Sequence, residues 1–133
     1  MLKLFPGFDP QLLYAAAEIY LDGMVLELYG SGNGPAANDE FTATLRHLSQ
    51  NGSPMVGISQ CLYGLLEPGA YVSGGRLLAN GLIAGLDLTP EAALTKLLFP
   101  RLFSTPGAEL ADAMQTPVTR EMTSRNAWSS PLT

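Results

Sequence analysis

One histidine, one cysteine and twelve carboxylates are the side chains of this 133-residue sequence from which proton or acyl transfer could be built. A thiol–imidazole dyad would need Cys61 and His47 to meet. His47 shares a segment with Phe41, Leu45 and Leu48, and at ~100° per residue it falls ~120° from the centre of that apolar face. It is expected to face solvent. Cys61 follows an apolar run and is read as a small packed residue, the usual habit of a free cysteine. Ser59 and Ser73 have no base nearby in sequence, and the G-x-S-x-G elbow is absent. Ser73-Gly74-Gly75-Arg76 has the composition of an anion nest. Glu67, Asp87 and Glu91 have no spacing that pairs them for acid–base work, and capping or solvated faces account for them. A single Cys and a single His cannot make a Cys/His zinc site, so no metal and no cofactor is expected.

The strongest local signal is Gly30-Ser31-Gly32-Asn33-Gly34-Pro35. It lies between an apolar run and a helical pattern, as a dinucleotide loop does. Its spacing is G-x-G-x-G rather than G-x-G-x-x-G, and Asp39 and Glu40 follow it with no cation at hand. Two other readings stand beside phosphate binding. One is a tight turn needing positive φ at Gly32 or Gly34. The other is that Asn33, whose amide both donates and accepts, is presented to a small polar ligand.

The elements that position these residues announce themselves by their ends. Asp9-Pro10, Thr89-Pro90 and Thr105-Pro106 each pair an oxygen-bearing N-cap with proline in the first turn. Helices are expected over Pro10–Leu21, with Leu13, Ala16, Ala17 and Tyr20 inward, and over Asn38–Asn51, with Phe41, Leu45 and Leu48 inward. A third is expected over Pro90–Phe99 with Leu94, Leu97 and Leu98 on one side, ended or kinked by Pro100. Short apolar runs at Leu2–Phe5, Gly23–Tyr29, Met55–Ser59 and Leu82–Leu86 read as buried strands. Strands alternating with helices imply right-handed βαβ units. The fold class is therefore α/β: a small three-layer sandwich of the Rossmann or flavodoxin kind, with a four-stranded parallel sheet and helices on both faces. In such sheets the working loops lie beyond the carboxyl ends of the strands, here Pro6–Asp9, Gly30–Ala37, Gln60–Gly75 and Asp87–Thr89. A net charge of −5 with seven scattered Lys and Arg leaves no basic face for nucleic acid. The apolar stretch Leu77–Leu86 falls far short of the ~20 residues of a membrane span. One cysteine and an N-terminus too short for a signal peptide fit a reducing, cytoplasmic setting.

Taken in order, several segments resemble a known family. They are Phe5-Pro6-Gly7, Gly23 to Pro35, Ser59-Gln60-Cys61, Gly69-Ala70-Tyr71, Gly85 to Leu97 and the closing Arg120-Glu121-Met122-Thr123. Together they resemble the C-terminal domain of a cytoplasmic type I L-asparaginase over about Leu2 to Thr123. The resemblance implies a domain over residues 1–123, a flexible tail over 124–133 and a catalytic N-terminal domain outside this chain; separately, periodicity is lost over Thr116–Thr133, where Trp128 is expected to dock on a neighbouring surface. The N-terminal domain would carry the threonine nucleophile in Thr-Gly-Gly-Thr and Gly-Thr-Asp motifs. Neither occurs here, so no catalytic residue is expected in this chain and alone it should be inactive. Subunit interfaces of a homodimer or homotetramer are implied, with L-asparagine or L-aspartate as ligand.

The resemblance also assigns loop residues. Gly32, Asn33, Gly34 and Tyr71 would border a neighbouring subunit's active site. Pro35 and Tyr71 stand where periplasmic relatives have asparagine and glutamate. Glu27, Gln60 and Cys61 would lie at an allosteric asparagine site. There, Glu27 replaces an arginine that would grip the effector carboxylate, and a carboxylate cannot do that. Two other functions fit the same residues. One is an amino-acid-binding module using Asn33, Gln60 and Tyr71 without chemistry. The other is part of an asparaginase-like, tRNA-dependent amidotransferase.

Overall fold

The computed structural model describes residues 1–20, 22–30, 32–62, 65–66, 72–102 and 107–123. In chain order the elements are β1 (Leu2–Lys3), α1 (Pro10–Ile19), β2 (Met24–Leu28), α2 (Asp39–Gln50), β3 (Met55–Ser59), α3 (Val72–Ala79), β4 (Leu82–Ala84), α4 (Pro90–Leu102) and α5 (Gly107–Gln115). The strands form one parallel sheet in the order β1-β2-β3-β4. Every crossover therefore steps the same way, and a common handedness must place α1, α2 and α3 on one face.

The period-2 alternation of the strands divides the interior in two. Met24, Leu26 and Leu28 of β2, with Met55, Leu82 and Ala84, pack beneath Leu13, Ala17, Phe41, Leu45, Leu48 and Leu77 of α1–α3. Val25, Val56 and Ile58 face the other way. They meet Ala93 and Leu97 of α4, Leu110 and Met114 of α5, and Met122. Burial on both sides is why these strands read as unbroken apolar runs.

The expected caps form. Asp9 accepts from the Gln11 amide at 2.9 Å, Asn38 from the Phe41 amide at 3.1 Å, and Thr89 from the Ala92 amide at 3.2 Å. Thr105, Pro106 and Trp128, with the rest of 124–133, lie outside the described residues.

Several expectations need correction. α1 stops at Ile19, and Tyr20 is an exposed C-cap residue rather than part of the buried face. α4 continues through Pro100 to Leu102, because a proline near a helix end removes only one amide bond and already has helical φ. Its buried side is Ala93, Lys96 and Leu97, whereas Leu94 and Leu98 are about 40% and 45% exposed. Helix α3 occupies part of what reads in sequence as a loop. Ser73-Gly74-Gly75-Arg76 is therefore helical, not an anion nest.

Candidate functional site

At the carboxyl end of β2 the chain reverses tightly. Tyr29 and Asn33 exchange backbone hydrogen bonds of 2.7 and 2.9 Å, closing the turn on itself. Gly32 has φ of +124°, which a side chain would oppose. Gly34 serves differently, since a Cβ there would lie 3.0 Å from Leu77 Cδ1 and about 3.7–3.8 Å from Leu28 and Leu4 methyls. The glycines thus press the loop against the first core. The turn reading holds at Gly32, where φ is positive; Gly34 does not take positive φ, and the close approach of its backbone to the core is what the structure adds.

The Asn33 amide is half-buried and turned inward. Its Oδ1 accepts a hydrogen bond from Ser73 Oγ in the first turn of α3. That tie joins the β2–α2 loop to the helix that begins one residue after Tyr71, which itself lies outside the described residues. Tyr29 places its hydroxyl in a buried position with no hydrogen-bond partner, and burial pushes its pKa up.

A second set of contacts crosses the same edge. Gln60 Nε2 donates to the Leu4 carbonyl at 2.6 Å and to the Glu27 carbonyl at 2.9 Å. Its backbone amide donates to Leu28 O at 3.0 Å. One side chain therefore ties the ends of β1 and β2 to the segment leaving β3. Ser59 Oγ donates to Gly30 O at 2.5 Å and accepts from the Cys61 amide at 2.9 Å, joining the two sets. The Glu27 side chain sits 4.0 Å from Lys3, its partner in the β1–β2 register. Since Lys3 is largely exposed, that pair contributes little to stability. Gln60 is thus joined to the Glu27 backbone by its side chain, and Cys61 to Ser59 through its own backbone amide.

Cys61 corrects its sequence reading: it is exposed rather than packed, because the chain has already left the sheet and Ser59 holds only its backbone. His47 is exposed as expected and stacks on Tyr14 of α1, with ring centroids 5.6 Å apart and Tyr14 Oη 3.0 Å from Nε2. It is remote in the fold from Cys61, at the far end of α2. Among the described residues no group of three or more His, Cys, Asp or Glu could hold a metal. In the same residues, no helix is long and apolar enough to cross a membrane.

Two interactions go beyond the sequence reading, and one corrects it, since Asp87 is neither a cap nor a solvated carboxylate but a part-buried partner of Thr123. Lys96, 8% exposed, donates to Thr116 O at 2.6 Å and pairs with Glu121. Glu121 also accepts from the backbone amides of Val118 at 3.1 Å and Thr119 at 2.7 Å. Burial alone would raise the Glu121 carboxyl, but Lys96 and the backbone N–H groups outweigh it and hold its pKa at about 2. Asp87 accepts from Thr123 N at 3.1 Å and from Thr123 Oγ1 at 2.5 Å. The available signal for the first pair was Lys96 itself, a lone cation between Ala93 and Leu97 on the inward side of α4.

These features define a parallel three-layer α/β domain whose polar loops gather at one sheet edge. Residues 1–100 match the Glutaminase/Asparaginase C-terminal domain family, and the chain belongs to that family. It is similar to the L-asparaginase of Thermococcus kodakarensis, 33% identical over 92% of this chain and 37% of that protein. A component of the glutamyl-tRNA(Gln) amidotransferase of Methanosphaera stadtmanae is 35% identical over 92% of this chain and 27% of its own length. The crystal structure of L-asparaginase I from Vibrio cholerae superposes with a TM-score of 0.84 at 34% identity, over 92% of this chain and 36% of the other. The chain thus spans between about a quarter and two fifths of the length of these three proteins.

Proposed function

We propose that this chain serves as the C-terminal domain of an L-asparaginase, which hydrolyses L-asparagine with water to L-aspartate and ammonia. The observation that carries the reading is the 34% identity and TM-score of 0.84 to L-asparaginase I across 92% of the chain. The nucleophile belongs to a separate catalytic domain, which agrees with the lack of a paired nucleophile and base among the described residues. In this reading Gly32, Asn33 and Gly34, with Tyr71, border the active site of a neighbouring subunit in a cytoplasmic homodimer or homotetramer. Asn33 contributes through the shape of its loop, since Ser73 already engages its carbonyl oxygen. Gln60 holds strand ends together, its two amide hydrogens serving Leu4 and Glu27.

The test is to express the chain alone and assay ammonia release from L-asparagine. No release above background is expected, and enzymatic turnover would overturn the assignment of catalysis to another domain.

A second reading, part of a tRNA-dependent amidotransferase, is favoured by the 35% identity to the Methanosphaera protein over 92% of the chain. Ammonia release by the whole protein without tRNA supports the first reading. Amide transfer to glutamate carried on tRNA supports the second.

A further inference from the structure

Between β4 and α4 the chain turns through Gly85, Leu86, Asp87 and Leu88, closed by a 3.1 Å bond from Leu88 N to Gly85 O. Leu86 takes the first central position with φ of +55°, a conformation that such turns usually give to glycine. Its side chain packs against both cores, which explains a leucine there but not what holds its backbone. Its carbonyl accepts from the Leu66 amide at 3.0 Å. Leu66 is fully buried and belongs to the connection leaving β3, the one that carries Gln60 and Cys61.

The next residue, Asp87, is gripped from the other side. Both its carboxylate oxygens accept from Thr123 N, and one accepts from Thr123 Oγ1. Thr123 belongs to a segment that is itself fastened. Lys96 holds Thr116 O and Glu121, and Met122 is buried in the second core.

We infer that Asp87 and Thr123 are positioning residues: they hold Leu86 in its left-handed turn and, through the Leu86 carbonyl, hold Leu66 at the carboxyl edge of the sheet. The two cores are thereby coupled at this edge by one path: hydrogen bonds from Thr123 to Asp87, the peptide bond from Asp87 to Leu86, and the hydrogen bond from Leu66 to Leu86. The functional weight of that edge rests on the reading proposed above. The coupling does not, and it is measured on this chain without any assay of hydrolysis.

The experiment is amide hydrogen exchange of the full chain followed by NMR. Thr123→Val and Asp87→Asn should speed exchange at Leu66 about tenfold, the loss of a hydrogen bond to a charged acceptor. Val56 in β3 and Leu45 in α2 should keep their rates. Thr123→Ser, which retains the hydroxyl, should match the wild type. An unchanged Leu66 rate in both variants overturns the inference. So does equal acceleration at Leu66, Val56 and Leu45, which would mean that the contact stabilises the domain as a whole and positions nothing.

Discussion

Replacing Glu121 with glutamine tests whether a charge at the edge of the second core stabilises the fold. Its carboxylate is 18% exposed and meets Lys96, whose side chain is 7% exposed, with the backbone amides of Val118 and Thr119 as further donors. A pKa lowered from the ordinary 4.5 to about 2 corresponds to about 3 kcal/mol favouring the charged form in the folded state. Because the folded carboxyl titrates below the unfolded one, this contribution is complete above pH ~5 and disappears as the pH falls toward 2. Glu121→Gln should therefore lose about 3 kcal/mol at pH 7, since the Lys96 ammonium stays buried without its counter-charge. Urea unfolding followed by far-ultraviolet circular dichroism from pH 7 to pH 2 measures both effects. The wild type should fall toward the variant across the acid limb, and the difference between the two curves isolates Glu121 from the other carboxylates. A difference that stays constant with pH, or a variant as stable as the wild type at pH 7, would refute the reasoning. Lys96→Met combined with Glu121→Leu should cost less than the sum of the single changes, since neither charge is then stranded.

Gln60→Leu should destabilise the chain by about 1 to 3 kcal/mol in the same urea titration, because the Leu4 and Glu27 carbonyls lose a donor that the apolar side chain cannot supply. Asn38→Ala should cost about 1 kcal/mol through loss of the α2 N-cap. Asn38→Asp should restore most of that stability.

What could be read in the sequence was whatever rests on local pattern. The caps at Asp9, Asn38 and Thr89 are fixed by short-range hydrogen bonding, and β2 and β3 by apolar runs too short for helices, so the starts of α1, α2 and α4 and both ends of β2 and β3 lie within a residue of their expected places. β4 stops at Ala84, short of the expected Leu86, because the chain enters the turn where Leu86 takes positive φ. α3 escaped because Gly74 and Gly75 argue against a helix by propensity. Tertiary packing overrides that penalty, with Gly74 and Leu77 buried beside the sheet. The outward turn of Leu94 and Leu98 was hidden because three leucines within five residues do not reveal which arc meets the core. Lys96, a charge on the buried arc, marked it better.

In the candidate site the positive φ of Gly32 was legible, whereas the close approach at Gly34 depends on Leu77, far along the chain. The partners of Asn33 and Gln60 were not, since Ser73, Leu4 and Glu27 lie 33 to 56 residues away in the chain. Such contacts depend on the sheet order, which no local pattern encodes.

The one-directional strand order also bears on how the domain can be made. The first 84 residues supply the whole sheet and the layer that covers one face. The opposite face stays bare until residues from Leu88 onward arrive with Leu97, Leu110, Met114 and Met122. On a ribosome, a nascent chain at that stage presents Val25, Val56 and Ile58 as one apolar surface, the condition under which partly built α/β chains associate with one another or with chaperones. The last third of this sequence is thus what turns a half-covered, association-prone intermediate into a finished domain.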